Sequence, residues 1–299
     1  MREKSGSRIG VRAWNRSGVL FLIPIVLFYA LMYYFPIGFS AVLSFFKWSF
    51  FNNKFIGLAN YVRVFTDSVP MEAYRNTVEY VLVTVLAVNA LALLIALAVK
   101  HLSMAVSQIY KVIYFIPSVV SVSAISLIWS YIYHPQVGIL NYVIGFFGIP
   151  HQGWLVDPRI ALFSIILIGI WQNVGFYVVI YAAGLTSIDE SYYDAARMDG
   201  VNPVQSFRYI TFPLLTPTTI FAMVTSVILS FRVFIPVFVL TDGGPTNSTN
   251  VVVYEIYSQG LAAFRFGYAS ALAMTLLIFV AILTLIQMRV TKSTEEIYR

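Results

Sequence analysis

The sequence predicts an all-α integral membrane bundle, and three observations carry that prediction. Mean hydropathy is +0.80 with 59% hydrophobic and 11% charged residues; six apolar stretches are long enough to span; and basic residues gather on one side of them. About 20 residues cross the hydrocarbon. A helix is the open structure that satisfies its own backbone there.

The first stretch, Val19 to Phe39, follows a basic tail at residues 1–16 that carries Arg2, Lys4, Arg8, Arg12 and Arg16 against Glu3. That charge places the tail in the cytoplasm. The run is long and no small-x-small cleavage site closes it, so it reads as a retained span rather than a signal peptide. Ser40 to Asn76 then forms an outer segment of amphipathic surface helices. Thr77 to Val99 is the second span, with Glu79 a solvated rim residue and Lys100 at the cytoplasmic end.

Ile113 to Tyr133 is the third span, His134 to Ile160 an outer segment, and Ala161 to Leu185 the fourth span. Trp48, Tyr131, Tyr133 and Trp154 fall near outer boundaries, as an interfacial belt requires. Thr216 to Leu240 is the fifth span, Thr241 to Tyr268 an outer segment, and Ala269 to Met288 the sixth. Residues 17–290 thus form one transmembrane domain, followed by a cytoplasmic tail at 291–299. The remaining cytoplasmic segments hold Lys111, Arg197, Arg208, Arg289 and Lys292, which explains the net charge of +6 by topology without nucleic acid.

Between the fourth and fifth spans lies a polar island, residues 187–217. Ser187 and Glu190 make a Ser-x-x-Glu capping box that predicts a helix from Ile188. Gly200 ends it, because glycine takes the left-handed helix-end conformation freely. Asn202, Pro203 and Gln205 supply a cap, a first-turn proline and a third-position amide for a second helix. The expected product is an elbow, thin at Ala195 and Ala196 and charged on the outside by Asp194, Arg197, Asp199 and Arg208, shaped to enter a groove on a soluble partner. A plain hairpin between spans would satisfy the same turn chemistry.

Catalytic sites are not expected. There is no Gly-x-x-x-x-Gly-Lys-Ser/Thr phosphate loop, no His-Glu-x-x-His spacing among His101, His134 and His151, and no cysteine. No cofactor or metal is expected either. Polar groups at membrane depth are the other candidates. Gln172 and Asn173 fall near the middle of the fourth span, where amides bind a hydroxyl or join helices. Trp129, Trp171 and Tyr177 offer stacking faces. Arg232 lies deep in the fifth span, facing a cavity, a subunit interface, or snorkelling outward.

Tyr193-Asp194-Ala195-Ala196-Arg197-Met198-Asp199-Gly200, continuing to Pro213 and Pro217, resembles the cytoplasmic coupling loop of ABC-importer permeases. Other segments are similar to the carbohydrate-uptake branch of that family: Phe55-Ile56-Gly57-Leu58-Ala59-Asn60-Tyr61, Asn76-Thr77, Trp129 with Gly138 and Asn141, Trp154-Leu155, Asp157-Pro158, Ala183-Gly184-Leu185 and Thr241-Asp242-Gly243-Gly244-Pro245. Their order covers about residues 15 to 290. Two positions depart from the pattern: Asp194 stands where glutamate is usual, and Asp189 where proline is. The large insertion of the longer maltose-type subunit is absent, so the chain resembles the compact first permease of two-permease sugar and glycerol-phosphate importers.

The resemblance implies a binding-protein-dependent transport component in the bacterial cytoplasmic membrane, forming half of a carbohydrate pathway. It implies a second homologous permease, two copies of a cytoplasmic ABC ATPase docked on Tyr193, Asp194, Ala195, Ala196, Arg197, Asp199 and Gly200, and an extracytoplasmic solute-binding protein meeting Gly243, Gly244 and Pro245. ATP hydrolysis belongs to the ATPase, whose closure pulls on the elbow and opens the cavity outward. An ion-coupled carrier is the rival reading; it predicts ionisable residues within spans and paired broken helices, and neither pattern stands out in the sequence. A membrane scaffold would leave the elbow and the Thr-x-Gly-Gly-Pro loop unexplained.

Overall fold

A computed structural model of the chain describes residues 20–49, 52–100 and 102–297. The basic tail at 1–16 and His101 lie outside the described residues. Among the described residues four helices are each long and apolar enough to cross a membrane, and the number rises to six where each of two bent pairs, Met104–Val119 with Val122–Ile132 and Pro203–Leu214 with Thr216–Ser230, counts as one span.

The first span, Leu20–Leu43, shares almost no buried surface with the rest of the chain. Only its Phe35–Leu43 half packs on the last helix. The expected surface helices then give way to an antiparallel hairpin, Phe46–Ser49 with Asn52–Phe55, in the register Phe46 opposite Phe55. Aromatic residues on extended backbone explain it. A lone hairpin is marginal, and this one is braced. Asn60, buried in the helix Ala59–Thr66, donates Nδ2 to the carbonyls of Ser44 (2.8 Å) and Phe46 (2.9 Å). Gly267 lets the last helix approach, since a Cβ there would stand 1.9 Å from Phe46 O.

The second span is longer than expected, running Ser68–Lys100. It packs along the fourth, Ala161–Thr186, through Val88, Ala92 and Ala96 against Tyr177, Val178, Tyr181 and Leu185. Lipid tails are as apolar as these side chains, so close fit and polar bonds join the spans rather than hydrophobic burial. Gly175 shows the closeness of fit: a Cβ there would lie 1.7 Å from Tyr114 O of the third span. Asn89 supplies the polar bond, donating to Ser226 Oγ (2.9 Å) and accepting from Tyr181 OH (3.0 Å) across three spans.

The third and fifth spans correct the sequence reading, which found no paired broken helices. The third consists of Met104–Val119 and Val122–Ile132, bent by 93°. Pro117 removes a helix hydrogen bond, and Val120 and Ser121 take extended ψ values of 142° and 128°. The fifth, Thr216–Ser230, stops short of Leu240; the chain unwinds through Phe231–Phe234 and restarts as Ile235–Leu240 with Pro236 in the first turn. The last helix runs Phe266–Ile297, through most of the stretch assigned to the C-terminal tail.

Candidate functional site

At one end of the bundle the polar island folds as an elbow. Its first helix is Glu190–Met198, and its cap is Asp189, whose Oδ1 accepts from Ser191 N at 2.8 Å. Hydrogen bonds from the Ser191 side chain and backbone hold Asp189 below the usual carboxylate range. Ser187, the cap expected from the sequence, instead closes the preceding span by donating to Gly184 O (2.8 Å). The residue marked as a departure from the family pattern therefore replaces the missing start signal.

The exit matches expectation closely. Gly200 has φ +73°, Val201 N donates to Ala196 O (3.0 Å), and Gly200 N donates to Arg197 O (3.1 Å). This pair of bonds is a Schellman closure. Asn202 and Gln205 then exchange bonds of 2.9 and 3.0 Å in a complete capping box, with Pro203 at the first helical position.

The residues named for docking divide into two sets. Asp194, Ala195, Arg197, Asp199 and Gly200 are exposed, and Asp194 pairs with Arg197 at 2.9 Å. Ala196 is buried and Tyr193 half-buried, with its hydroxyl 3.1 Å from Thr211 Oγ1 and its ring under Lys100 Nζ at 4.0 Å. Neither faces out, and Tyr193 is the one that meets another span, through Lys100. The outer face also carries apolar residues that sequence reasoning missed: Met198 is 89% exposed, Val204 75% and Tyr209 69%. Their signal was available, as apolar side chains outside any span amid charges.

A cleft of about 400 Å³ opens within the membrane-spanning region, bounded by the second to fifth spans. Gln172, Asn173, Tyr177 and Arg232 all line it; Trp129 does not. Trp129 instead packs with Tyr133 (5.1 Å between ring centroids) and Trp171 (5.6 Å) beside Trp154. Asn173 donates back to Gly169 O at 2.8 Å. Tyr177 OH and Thr84 Oγ1, both in the lining, are buried without a hydrogen bond of standard geometry. The unwound turn at Phe231–Phe234 forms one wall, the setting in which irregular backbone is tolerated at membrane depth.

At the opposite end, the Thr241–Pro245 loop is clamped from the second span. Asn76, fully buried, donates Nδ2 to Asn247 O and Asn250 O at 2.9 Å each, and Thr77 Oγ1 accepts from Val252 N at 2.9 Å. Thr249 Oγ1 donates to Gly244 O (2.6 Å). Gly243 (φ +78°) lies against Tyr254, whose hydroxyl donates to Asp242 Oδ1 at 2.8 Å. Burial, then the Asp242 carboxylate, pushes that hydroxyl up to about 12, so it remains a donor. Gly243, Gly244 and Pro245 thus sit on a fixed platform.

One bundle thus carries an elbow, a polar cleft and a clamped loop, and comparison with known proteins decides what kind of membrane protein this is. Residues 88–295 match the family described as binding-protein-dependent transport system inner membrane components. The chain belongs to this family. It is 34% identical over 282 residues to the probable ABC transporter permease YurN of Bacillus subtilis, covering 93% of this chain and 96% of that one. It is 32% identical to the lactose transport system permease LacF of Rhizobium radiobacter, covering 92% and 94%. Its fold is that of a chain in the crystal structure of a bacterial ABC transporter that imports the acidic polysaccharide alginate, with a TM-score of 0.81 at 22% identity and coverage of 94% and 99%. This permease is therefore a multi-pass membrane protein and a transport subunit.

Proposed function

We propose that this chain forms half of the membrane pathway of an ATP-driven carbohydrate importer. It would pair with a second permease of the same family, accept solute from an extracytoplasmic binding protein at the Gly243-Gly244-Pro245 platform, and dock a cytoplasmic ATPase at the elbow, one of two copies. The termini and the elbow lie in the cytoplasm, as the distribution of Arg and Lys supports. Residues 17–290 form the permease domain, 187–217 its coupling segment, and the tails at 1–16 and 291–299 flank it.

The observation that carries the docking reading is the elbow itself. Its backbone is closed by a Schellman motif and a capping box, and it presents Met198, Val204 and Tyr209 beside an exposed Asp194–Arg197 pair. An apolar centre with a charged rim is how interfaces are built. The carbohydrate reading rests on the lactose permease relative and on a cleft lined by amide and hydroxyl groups.

Purification of the tagged chain from its native membrane, beside Val204→Asp, tests the docking. Val204 is exposed, so the variant keeps the fold. An ATPase co-eluting with the wild type and depleted at least tenfold from the variant supports the reading; absence of any ATPase from the wild type contradicts it.

A further inference from the structure

We infer that the cleft at the break of the fifth span takes a solute carrying an anionic group, a sugar acid or sugar phosphate, with Arg232 as its counter-charge. The inference rests on the importer reading above and adds the class of solute. Three observations bear on it. Arg232 is exposed to the cleft, and no Asp or Glu lines that space. The ion pairs among the described residues are Arg63–Asp67, Arg75–Glu72, Arg159–Asp157 and Arg197–Asp194, and Arg232 belongs to none of them. A guanidinium at membrane depth is costly without a partner, and its planar fork fits a carboxylate or phosphate.

The remaining lining matches the other half of such a solute. Gln172, 7% exposed, makes no side-chain hydrogen bond among the described residues, and Tyr177 OH and Thr84 Oγ1 are buried without a hydrogen bond of standard geometry, with the Thr225 and Tyr80 hydroxyls beside them. Buried polar atoms left unpaired by their own chain are the ones a polyhydroxy ligand can satisfy. The break places Arg232 where it can serve. Arg232 N bonds to Leu229 O at 3.1 Å in a turn that ends the helix, after which Phe234 turns the chain away at φ −148°. A continuous helix would aim the residue by its own periodicity, whereas the unwound turn sets it in the wall. At about 400 Å³ the cleft is within the range of small-molecule sites, about 300–1,000 Å³.

The test uses the whole importer, with its ATPase, partner permease and binding protein, reconstituted in proteoliposomes. Glucuronate, glucose 6-phosphate and glucose, each radiolabelled, are offered to the wild type, Arg232→Lys and Arg232→Gln. The proposal expects uptake of an acidic probe, with the carboxylate and phosphate arms separating the two anions. It expects kcat/KM for that probe to fall at least tenfold in Arg232→Gln, to recover partly in Arg232→Lys, and all subunits to co-elute from every variant. Equal uptake of glucose by wild type and Arg232→Gln, with no uptake of either acid, overturns the proposal and leaves the carbohydrate reading standing. Loss of the partner permease from Arg232→Gln also overturns it, because the arginine then pairs across the subunit interface. An intact complex that transports none of the three sugars counts against both readings.

Discussion

The elbow between the fourth and fifth spans and the loop between the fifth and sixth are held in different ways. The elbow is shaped by its own residues: Asp189 starts it, Gly200 turns it, and Asn202 with Gln205 restarts it, all within the segment. Tyr193 closes it on itself through Thr211 Oγ1 and ties it to the second span through Lys100. The loop that carries Gly243, Gly244 and Pro245 is closed by Thr249 and Tyr254 of its own segment and anchored from outside, at Asn247, Asn250 and Val252, by Asn76 and Thr77 of the second span. A self-shaped knob can move as one body and pass a displacement to the spans on either side. A clamped loop moves only with the scaffold that clamps it. The two ends thus differ in how they are anchored, one by its own caps and turn and the other by bonds from a neighbouring span.

The largest expected effect of breaking this contrast comes from Asn76→Ala. It removes the donor to two carbonyls in a buried place, at a cost of about 2 kcal/mol, read as a lower melting temperature in detergent. Recovery of the ATPase with the chain is expected to be unchanged, because the elbow does not depend on Asn76.

Gly200→Ala is expected to cost about 1 kcal/mol, the strain of a Cβ at positive φ. Nothing lies within 4 Å of that Cβ, so strain alone acts. Proteolysis between residues 190 and 215 should quicken while the loop end keeps its protection. Together with Asn76→Ala this gives opposite patterns at the two ends.

The smallest effect concerns the Asp189 cap. Its folded-state value lies below the ordinary 3.8. The stability it adds is therefore present in full above that pH and is lost as pH falls through the lower folded value. Wild type and Asp189→Asn should differ in thermal stability at pH 6 and converge as the pH drops below about 3.8. A constant difference across that range would mean the carboxylate charge plays no part in the cap.

Much of this was legible in the chain. The fourth span runs Ala161–Thr186 against an expected Ala161 to Leu185, since lipid leaves a helix few alternatives there. Gly200 and the Asn202–Gln205 box were legible because helix ends are decided by neighbours in sequence. Hydropathy was silent on direction, so a 93° bend at Val120–Ser121 and the unwinding at Phe231–Phe234 went unread although Pro117 and Pro236 stood beside them. Ser187 matched a capping pattern but served the helix before it, a competition that spacing does not resolve. The convergence of Thr84, Gln172, Tyr177 and Arg232 is a property of three packed spans, and only the last three were singled out as polar or aromatic groups at depth.

The chain has no cysteine of its own, so a single one placed at Val204 is a unique chemical handle on the elbow, and one at Thr246 a control on the platform. Each would carry a short photoreactive label in native membranes, with the captured protein identified by mass spectrometry. The account predicts that the Val204 probe captures an ATPase and the Thr246 probe an extracytoplasmic binding protein. A Val204 probe that captures no ATPase, while the Thr246 probe still finds its partner, would contradict the claim that the elbow is where ATP hydrolysis is coupled to transport.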